Sequence, residues 1–347
     1  MPNDLKRVVE VVTEKGLYMK KFQKENLLIT PSLFTLFLYL LLNDRWQKSD
    51  YVLNCRIPQV IHDNLRDAGA AVYTDYLKDK GNTVFDKLKQ NITYWQYLFY
   101  SKNFVYANVY GNDEFYLSMK YRNIGIKIVE DSPYFNNRQL LKKRRLKLYA
   151  GLLNYWFYWI FKDYVPFGFD SKVSVIYHTT FNQLPDEIAH KGIPIDMKQL
   201  WQNKSEEEKQ SILMIFGVEP TMVNNIGKYK TVLVTEVLPI PDNEKIDIYK
   251  SLLQDNEIKQ SELLIKTHYA EKTDYRKAFP EATIINTPVP AQLLDVMGYV
   301  ADKAITISST AIFAFVKPQT QIIFKGTGFD ERLKRVLGVI RLEDIVK

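Results

Sequence analysis

The chain has 347 residues, of which 46% are hydrophobic, 14% aromatic and 25% charged, and this composition excludes an intrinsically disordered protein. Its length predicts two domains or one large α/β domain. The net charge of +7 favours an anionic partner such as a nucleotide, a nucleic acid or an acidic lipid.

Cysteine usage and the start of the sequence bear on the location of the protein. The single cysteine, Cys55, cannot form an internal disulfide, and no basic-then-apolar leader opens the sequence. We therefore expect a cytoplasmic protein. No zinc-finger, RNP or basic-zipper pattern occurs, so no nucleic-acid partner is expected.

In the first half, short β-rich runs alternate with longer helical stretches, a pattern typical of parallel sheets with crossover helices. The run 27–30 is predicted as the first strand. Pro31 opens the apolar helix behind it, which is shorter than the roughly 20 residues of a membrane span and is therefore a buried helix. Further predicted elements are the strands 51–55, 104–111 and 124–130 and the helices 57–69, 86–100, 113–120 and 136–164.

A turn sequence, VPFGFD, follows the last of these helices, and its Pro166 and Gly168 predict a domain boundary. We therefore predict one Rossmann-like domain over 1–165 and a second over 171–347. Two Rossmann-like sheets facing each other across a cleft would resemble the GT-B architecture. The second-half strands are predicted at 172–179, 231–239, 262–268, 282–288, 303–309 and 320–326.

The second-half strands end in polar or turn residues that point to one edge of the predicted sheet. An open α/β sheet binds its ligand at that edge, although any strand can end in a polar residue for structural reasons alone. Several such ends in register favour a ligand site. The residues concerned are Thr235, Glu236, Lys266, His268, Thr287, Pro288, Ser308, Ser309 and Thr310.

The segment SSTA, residues 308–311, is the candidate phosphate site. Hydroxyls beside free backbone N–H groups at the start of a helix suit an anion, and a simple Ser/Thr helix cap is the alternative. No P-loop occurs, and GTG at 326–328 lacks the spacing of a dinucleotide fingerprint. Because the chain has no Asp-x-Asp motif and few histidines and cysteines, we expect metal-independent chemistry without a cofactor.

His268 is the candidate acid of the site. It alone among the four histidines combines a strand end, a cationic neighbour at Lys266 and a following helix. The candidate bases are Glu130 and Asp131, which follow a first-half strand, and Asp242, which follows a second-half strand. Helix capping or a solvated turn is the alternative for each, and the Glu130–Asp131 pair is better positioned across a cleft.

A basic and aromatic segment, 140–166, combines a Lys/Arg cluster with a run of Tyr, Trp and Phe. Interfacial helices carry both features, so this segment is a candidate for peripheral contact with the inner face of the plasma membrane. A core helix that crosses between domains is the alternative.

Four segments, LVTEVLPIPDNEKIDIYKSLL, LLIKTHYAEKTDY, NTPVPAQLLD and ITISSTAIF, resemble in order and spacing the bacterial sialyltransferases of glycosyltransferase family 52. Members of this family modify lipooligosaccharide and capsular polysaccharide, and the similarity covers mainly 228–326. The resemblance implies a GT-B fold, with 1–165 as the acceptor-side domain and 171–347 as the nucleotide-sugar-binding domain. It also implies a metal-independent, inverting transfer from CMP-sialic acid to a sugar hydroxyl of a glycan or glycolipid acceptor. Family members can be dimeric, so a homodimer is compatible with it.

The same resemblance implies roles for individual residues. His268, as an imidazolium, would donate to the departing phosphate, and the base would be Asp131 or Asp242. The serine-rich phosphate site would match Ser308, Ser309 and Thr310, and the nucleotide base would lie by Thr287, Pro288 and Val289.

Three positions depart from the family pattern. The chain has Tyr269 where the family has Pro, Ser132 where it has Gly and Gln292 where it has Glu. These departures leave two alternatives open. One is a hexosyltransferase with another, UDP-type nucleotide sugar, and the other is a non-catalytic nucleotide- or glycan-binding homologue.

Overall fold

The fold is known from a computed structural model. It describes residues 25–54, 56–75, 108–111, 126–131, 168–169, 173–179, 184–219, 222 and 225–346. Cys55, the predicted helices 86–100, 113–120 and 136–164, and the basic aromatic segment 140–166 lie outside these residues. The membrane contact of that segment and the homodimer stay predictions.

Seven parallel strands form the first sheet. They are β1 Asn26–Thr30, β2 Asp50–Asn54, β3 Ala71–Asp75, β4 Asn108–Gly111, β5 Ile126–Val129, β6 Val173–Thr179 and β7 Gly192–Ile195. Their order across the sheet is β3-β2-β1-β4-β5-β6-β7. The order in which successive strands are added to the sheet therefore reverses between β1 and β4. A crevice outside the carboxyl ends of the strands forms at such a switch point.

Five parallel strands form the second sheet with the same plan. They are β8 Thr231–Val234, β9 Leu263–Lys266, β10 Thr283–Ile285, β11 Lys303–Thr306 and β12 Gln321–Phe324. Their order is β10-β9-β8-β11-β12, so the switch point lies between β8 and β11. The prediction of two parallel α/β sheets is confirmed.

The predicted domain boundary at 165–171 is wrong. β6 pairs with β5, and β7 pairs with β6, so the first sheet extends to Ile195 and the second begins at Thr231. The Pro/Gly sequence misled the prediction, because its described residue Gly168 packs within the first domain. A Cβ on Gly168 would lie 2.5 Å from the Ile176 side chain, and the Lys191 ammonium donates to the Gly168 carbonyl at 2.8 Å.

Helices connect and cover the strands. The α-helices are α1 Leu33–Leu42, α2 Gln59–Asp67, α3 Asp186–Ala189, α4 Met197–Gln202, α5 Glu206–Ile215, α6 Asp242–Asp255, α7 Ala291–Val296, α8 Glu331–Leu337 and α9 Glu343–Val346. Among the described residues, 3-10 helices span Trp46–Lys48, Gln260–Glu262 and Thr310–Phe315. In the part of the chain that the structure describes, no helix combines the length and apolar character that crossing a membrane requires.

One apolar core extends through both sheets. It includes Phe37 of α1, Trp201 of α4 and Val232 of β8, all buried. The ring of Phe37 meets that of Phe216 edge to face at 6.0 Å, and α4 contacts both α1 and α7. Since burying each large apolar side chain contributes about 1.5–3 kcal/mol, this core holds the two sheets together and fixes the cleft between them.

Gly326, the first glycine of GTG, has a structural role that an added Cβ would disrupt. Its φ is +73°, and a Cβ there would lie 2.4 Å from the carbonyl oxygen of Ile340. We expect Gly326→Ala to lower the free energy of unfolding by about 2–4 kcal/mol, measured by urea unfolding. The matched control is Gly217→Ala, with φ of +66° and nothing within 4 Å, which introduces backbone strain alone. Equal losses in the two variants would contradict the steric argument.

Candidate active site

A cavity of about 170 Å³ lies between the carboxyl ends of the two sheets. Residues at or after the carboxyl ends of β1, β5, β6 and β7 form one wall, and residues at or after those of β8, β9, β10 and β11 form the other. The structure brings eight sequence-predicted residues together in its lining: Glu130, Asp131, Thr235, Lys266, His268, Val289, Ser309 and Thr310. The lining does not include the remaining five predicted residues, which are Glu236, Asp242, Thr287, Pro288 and Ser308.

Lys266, the last residue of β9, places a buried cation in this lining. Its ammonium donates to two carbonyl oxygens, that of Thr267 at 2.5 Å and that of Thr287 at 3.5 Å. Among the described residues, no carboxylate forms an ion pair with it. Burial lowers the pKa of Lys266 to about 7, because the charged form loses its water without gaining a counter-ion. A ligand anion would supply that counter-ion.

His268 follows Lys266 and is held on its backbone and its ring. Its backbone N–H donates to the Thr235 hydroxyl oxygen at 3.3 Å, and its Nδ1 accepts from the Ala270 N–H at 3.2 Å. The neutral ring therefore carries its proton on Nε2, which has no partner among the described residues. The ring stacks on Tyr269, with centroids 4.5 Å apart.

The charge of His268 differs from the predicted imidazolium. Burial, and then the Lys266 charge, lower its pKa to about 4, so the ring is neutral at pH 7 in the ligand-free protein. Such a ring donates a hydrogen bond from Nε2 to an anion. A bound phosphate would raise this pKa, because its negative charge favours the imidazolium.

The Ser308–Thr310 segment after β11 is held by Glu236. The Glu236 carboxylate accepts from the Ser308 N–H at 2.7 Å, from its hydroxyl at 3.0 Å and from the Thr306 hydroxyl at 3.0 Å. Burial raises the pKa of Glu236 to about 7. Glu236 and Ser308 thus bind each other, and Ser309 and Thr310 are the hydroxyls that reach the cavity.

The two first-domain acids occupy different environments. Glu130 is buried, and its carboxylate accepts from both the N–H and the hydroxyl of Thr179, which ties the end of β5 to the end of β6. Asp131 is exposed at the cavity. Burial raises the pKa of Tyr269, on the opposite wall, and the charge of Asp131 raises it further. Asp131 is therefore better placed than Glu130 to take a proton from a ligand.

Asp242 belongs to a different cluster. It is the first residue of α6, where its carboxylate accepts from the Thr273 hydroxyl at 2.7 Å and from the Lys245 ammonium at 3.4 Å. The Thr273 hydrogen bond is the main cause that lowers the pKa of Asp242. The arrangement indicates a structural role at the start of the helix.

A sequence model of glycosyltransferase family 52 matches residues 61–327. The chain belongs to glycosyltransferase family 52. An uncharacterised protein of Haemophilus influenzae is 34% identical over 181 residues, which cover 51% of this chain and 58% of that protein. The chain thus spans less than two thirds of the length of this relative.

Two solved structures share the fold. The GT-B domain of a sialyltransferase from Photobacterium damselae superposes with a TM-score of 0.50 at 13% identity, covering 86% of this chain and 90% of that one. A 2,6-sialyltransferase of Photobacterium sp. JT-ISH-224, in a ternary complex with CMP and lactose, gives a TM-score of 0.51 at 11% identity, covering 92% and 78%. The predicted GT-B fold of this family 52 chain is confirmed.

Several lining residues escaped the sequence analysis of this family 52 chain. Thr179 and Met197 were missed because β6 was assigned to the second domain and β7 was not predicted, so their ends were not compared with that of β5. Ser32 accepts from the Thr35 N–H at the start of α1, and a cap before an apolar helix was the signal available for it. Among the described residues, no group of His, Cys, Asp or Glu is arranged to hold a metal ion.

Lys266→Met should stabilise the protein in a pH-dependent manner. Lysine ordinarily titrates near 10.5 and Lys266 titrates near 7, so the unfolded chain binds more protons between these pH values and wild-type stability rises with pH. The cost of the buried charge is full below pH 7 and absent above pH 10.5. We expect a gain on the order of a few kcal/mol at pH 6 that shrinks towards pH 10, measured by urea unfolding.

The control is Lys245→Met, because Lys245 is also buried but forms an ion pair with Glu271 at 3.1 Å. That variant should lose stability, since it leaves a buried carboxylate without its cation. A loss of stability in both variants at pH 6 would rule out an uncompensated charge at Lys266.

Proposed function

We propose that this protein is an inverting, metal-independent glycosyltransferase of surface polysaccharide biosynthesis. It would transfer sialic acid from CMP-sialic acid to a sugar hydroxyl of a glycan or glycolipid. The observation that carries the proposal is a meeting of three groups in one interdomain cavity. They are a buried lysine with no carboxylate partner among the described residues, a neutral histidine whose Nε2 carries the proton, and an acid on the facing wall. A cytoplasmic location goes with this proposal.

The charge of the cavity supports a monophosphate donor. Lys266 is the only lysine or arginine among the described lining residues. A departing CMP carries one phosphate, whereas a departing UDP carries two and would leave more negative charge to be balanced by further cations or a metal ion. The bound ligands of the Photobacterium sp. structure, CMP and lactose, agree with a cytidine monophosphate donor and a sugar acceptor on this fold.

The residues of the cavity suit a single displacement. Asp131 accepts the proton of the acceptor hydroxyl, whose oxygen attacks the anomeric carbon from the face opposite the phosphate. The bond from that carbon to the phosphate oxygen breaks, and its electron pair leaves with CMP. Lys266, the Nε2–H of His268 and the hydroxyls of Ser309 and Thr310 stabilise the growing phosphate charge. One displacement inverts the anomeric centre.

The function is tested by donor binding and turnover. We expect CMP to raise the melting temperature more than UDP or GDP, because a ligand that binds the folded state stabilises it by mass action. CMP release from CMP-sialic acid should occur with lactose as the trial acceptor and should persist in EDTA. Preference for UDP in both assays would favour the hexosyltransferase, and CMP binding without release would favour the non-catalytic homologue.

His268→Ala separates binding from turnover within this test. The variant should lower kcat by about 10²- to 10⁴-fold, because the departing phosphate loses a hydrogen-bond donor. The Kd of CMP-sialic acid should change little, because the leaving-group charge has not yet developed in the intact donor. Isothermal titration gives the Kd and CMP release gives kcat. An unchanged kcat would refute the role of His268.

The two first-domain acids should respond differently to loss of charge. Asp131→Asn should lower kcat by about 10²- to 10⁴-fold with little change in melting temperature, since its carboxylate is exposed at the cavity. Glu130→Gln should instead lower the melting temperature, because its buried carboxylate accepts two hydrogen bonds from Thr179. Loss of turnover in Glu130→Gln at unchanged stability, with an active Asp131→Asn, would transfer the base role to Glu130.

A further inference from the structure

A buried carboxylate behind the cavity has no place in the displacement described above. Glu271 has a side chain that is 1% exposed. Its Oε1 accepts from the Tyr275 hydroxyl at 2.8 Å and pairs with the Lys245 ammonium at 3.1 Å. Its Oε2 accepts from the Thr235 hydroxyl. Both oxygens therefore face donors.

Thr235 links this carboxylate to the candidate acid. A threonine hydroxyl has one proton, and that of Thr235 goes to Glu271. Its oxygen therefore acts as the acceptor for the backbone N–H of His268, at 3.3 Å. Thr235 is 1% exposed. The sequence predicted Thr235 as a nucleotide-sugar ligand, yet its proton is already in use within the protein.

The direction of these hydrogen bonds requires a carboxylate at 271. An ionised carboxylate only accepts, so it orients the Thr235 proton away from His268 and leaves a lone pair for the His268 N–H. Glutamine would have to turn its amide N–H groups either towards Thr235, whose proton would then lose its acceptor, or towards Lys245 and Tyr275, which are themselves donors. Lys245 is held in turn by the Thr273 hydroxyl at 2.7 Å, so the cation cannot swing away freely.

We propose that Glu271 is a positioning residue that acts on His268 through the Thr235 hydroxyl. The inference rests on the proposed role of His268 in the displacement. The Glu271–Lys245 pair fixes Thr235, Thr235 fixes the backbone of His268, and the Ala270 N–H then meets Nδ1 so that Nε2 carries the proton. Glu271 itself is not among the cavity lining residues.

Thr235→Val and Thr235→Ser test this link without touching the ion pair. Valine has the shape of threonine without the hydroxyl, so it removes the acceptor of the His268 N–H, and serine restores it. Tyr275→Phe is the matched control, because it removes a different donor to the same buried carboxylate and has no bond to His268. A merely structural role for Glu271 would make Tyr275→Phe resemble Thr235→Val.

The first readout is the imidazole NMR signal of His268 in protein with labelled histidines. The chain has only four histidines, and His268→Ala identifies the signal. We expect the titration midpoint of His268 to move by about one pH unit or more towards 6.5 in Thr235→Val, because a backbone released from Thr235 lets the ring leave the burial that lowers its pKa. It should stay near the wild-type value, about 4, in Thr235→Ser and Tyr275→Phe. Glu271→Gln should shift the signal in the wild type and add nothing in Thr235→Val.

The second readout is steady-state turnover of CMP-sialic acid. Thr235→Val should lower kcat by about 10- to 100-fold at unchanged donor KM, and Thr235→Ser should recover it. An unmoved His268 signal, equal shifts in Thr235→Val and Tyr275→Phe, or a raised donor KM with unchanged kcat would each overturn the inference. If wild-type protein does not turn over the donor, the proposed function fails, and the His268 signal still decides the positioning role.

Discussion

The apolar core shared by the two sheets determines where the polar strand ends can meet. Phe37 and Phe216 pack against each other, and α4 bridges α1 and α7, so the two walls of the cavity are joined by packed side chains behind it. The parallel order of each sheet then brings its carboxyl ends to that cavity. As a result Asp131 acts electrostatically on Tyr269 from the opposite wall. The proposed displacement uses residues of both walls, so it requires the two walls to be held in a fixed relative position.

Within this frame, the buried carboxylates leave Lys266 as a cation without an ion pair among the described residues. Glu236 is occupied by Ser308 and Thr306, and Glu271 is occupied by Lys245, Tyr275 and Thr235. Each acid already faces donors that would be left unsatisfied if it turned to Lys266. The positive charge of the cavity is thus maintained by the hydrogen-bond partners of its neighbours.

The structural features that depend on local pattern could be predicted from the sequence. Runs such as 27–30 and 262–268 are apolar and bounded by turns, so their strands were predicted, and the polar residues at their ends pointed to the cavity. β7 was missed, since Gly192–Ile195 is short and contains Pro194. The membership of β6 in the first sheet depends on pairing with distant residues, which local pattern does not encode. Glu271 was missed for the same reason, because its partner Thr235 lies 36 residues away.

The lowered pKa of Lys266 also couples ligand exchange to the solvent proton. With a pKa of about 7, about half of the ligand-free molecules hold a neutral amine at pH 7. An anion that settles beside this amine favours its charged form, so binding draws protons from the buffer and departure of the anion returns them. Heat measured during association would therefore vary with the ionisation enthalpy of the buffer. The lysine would thus take up a proton when the anion binds and release it when the anion leaves, once in every catalytic cycle.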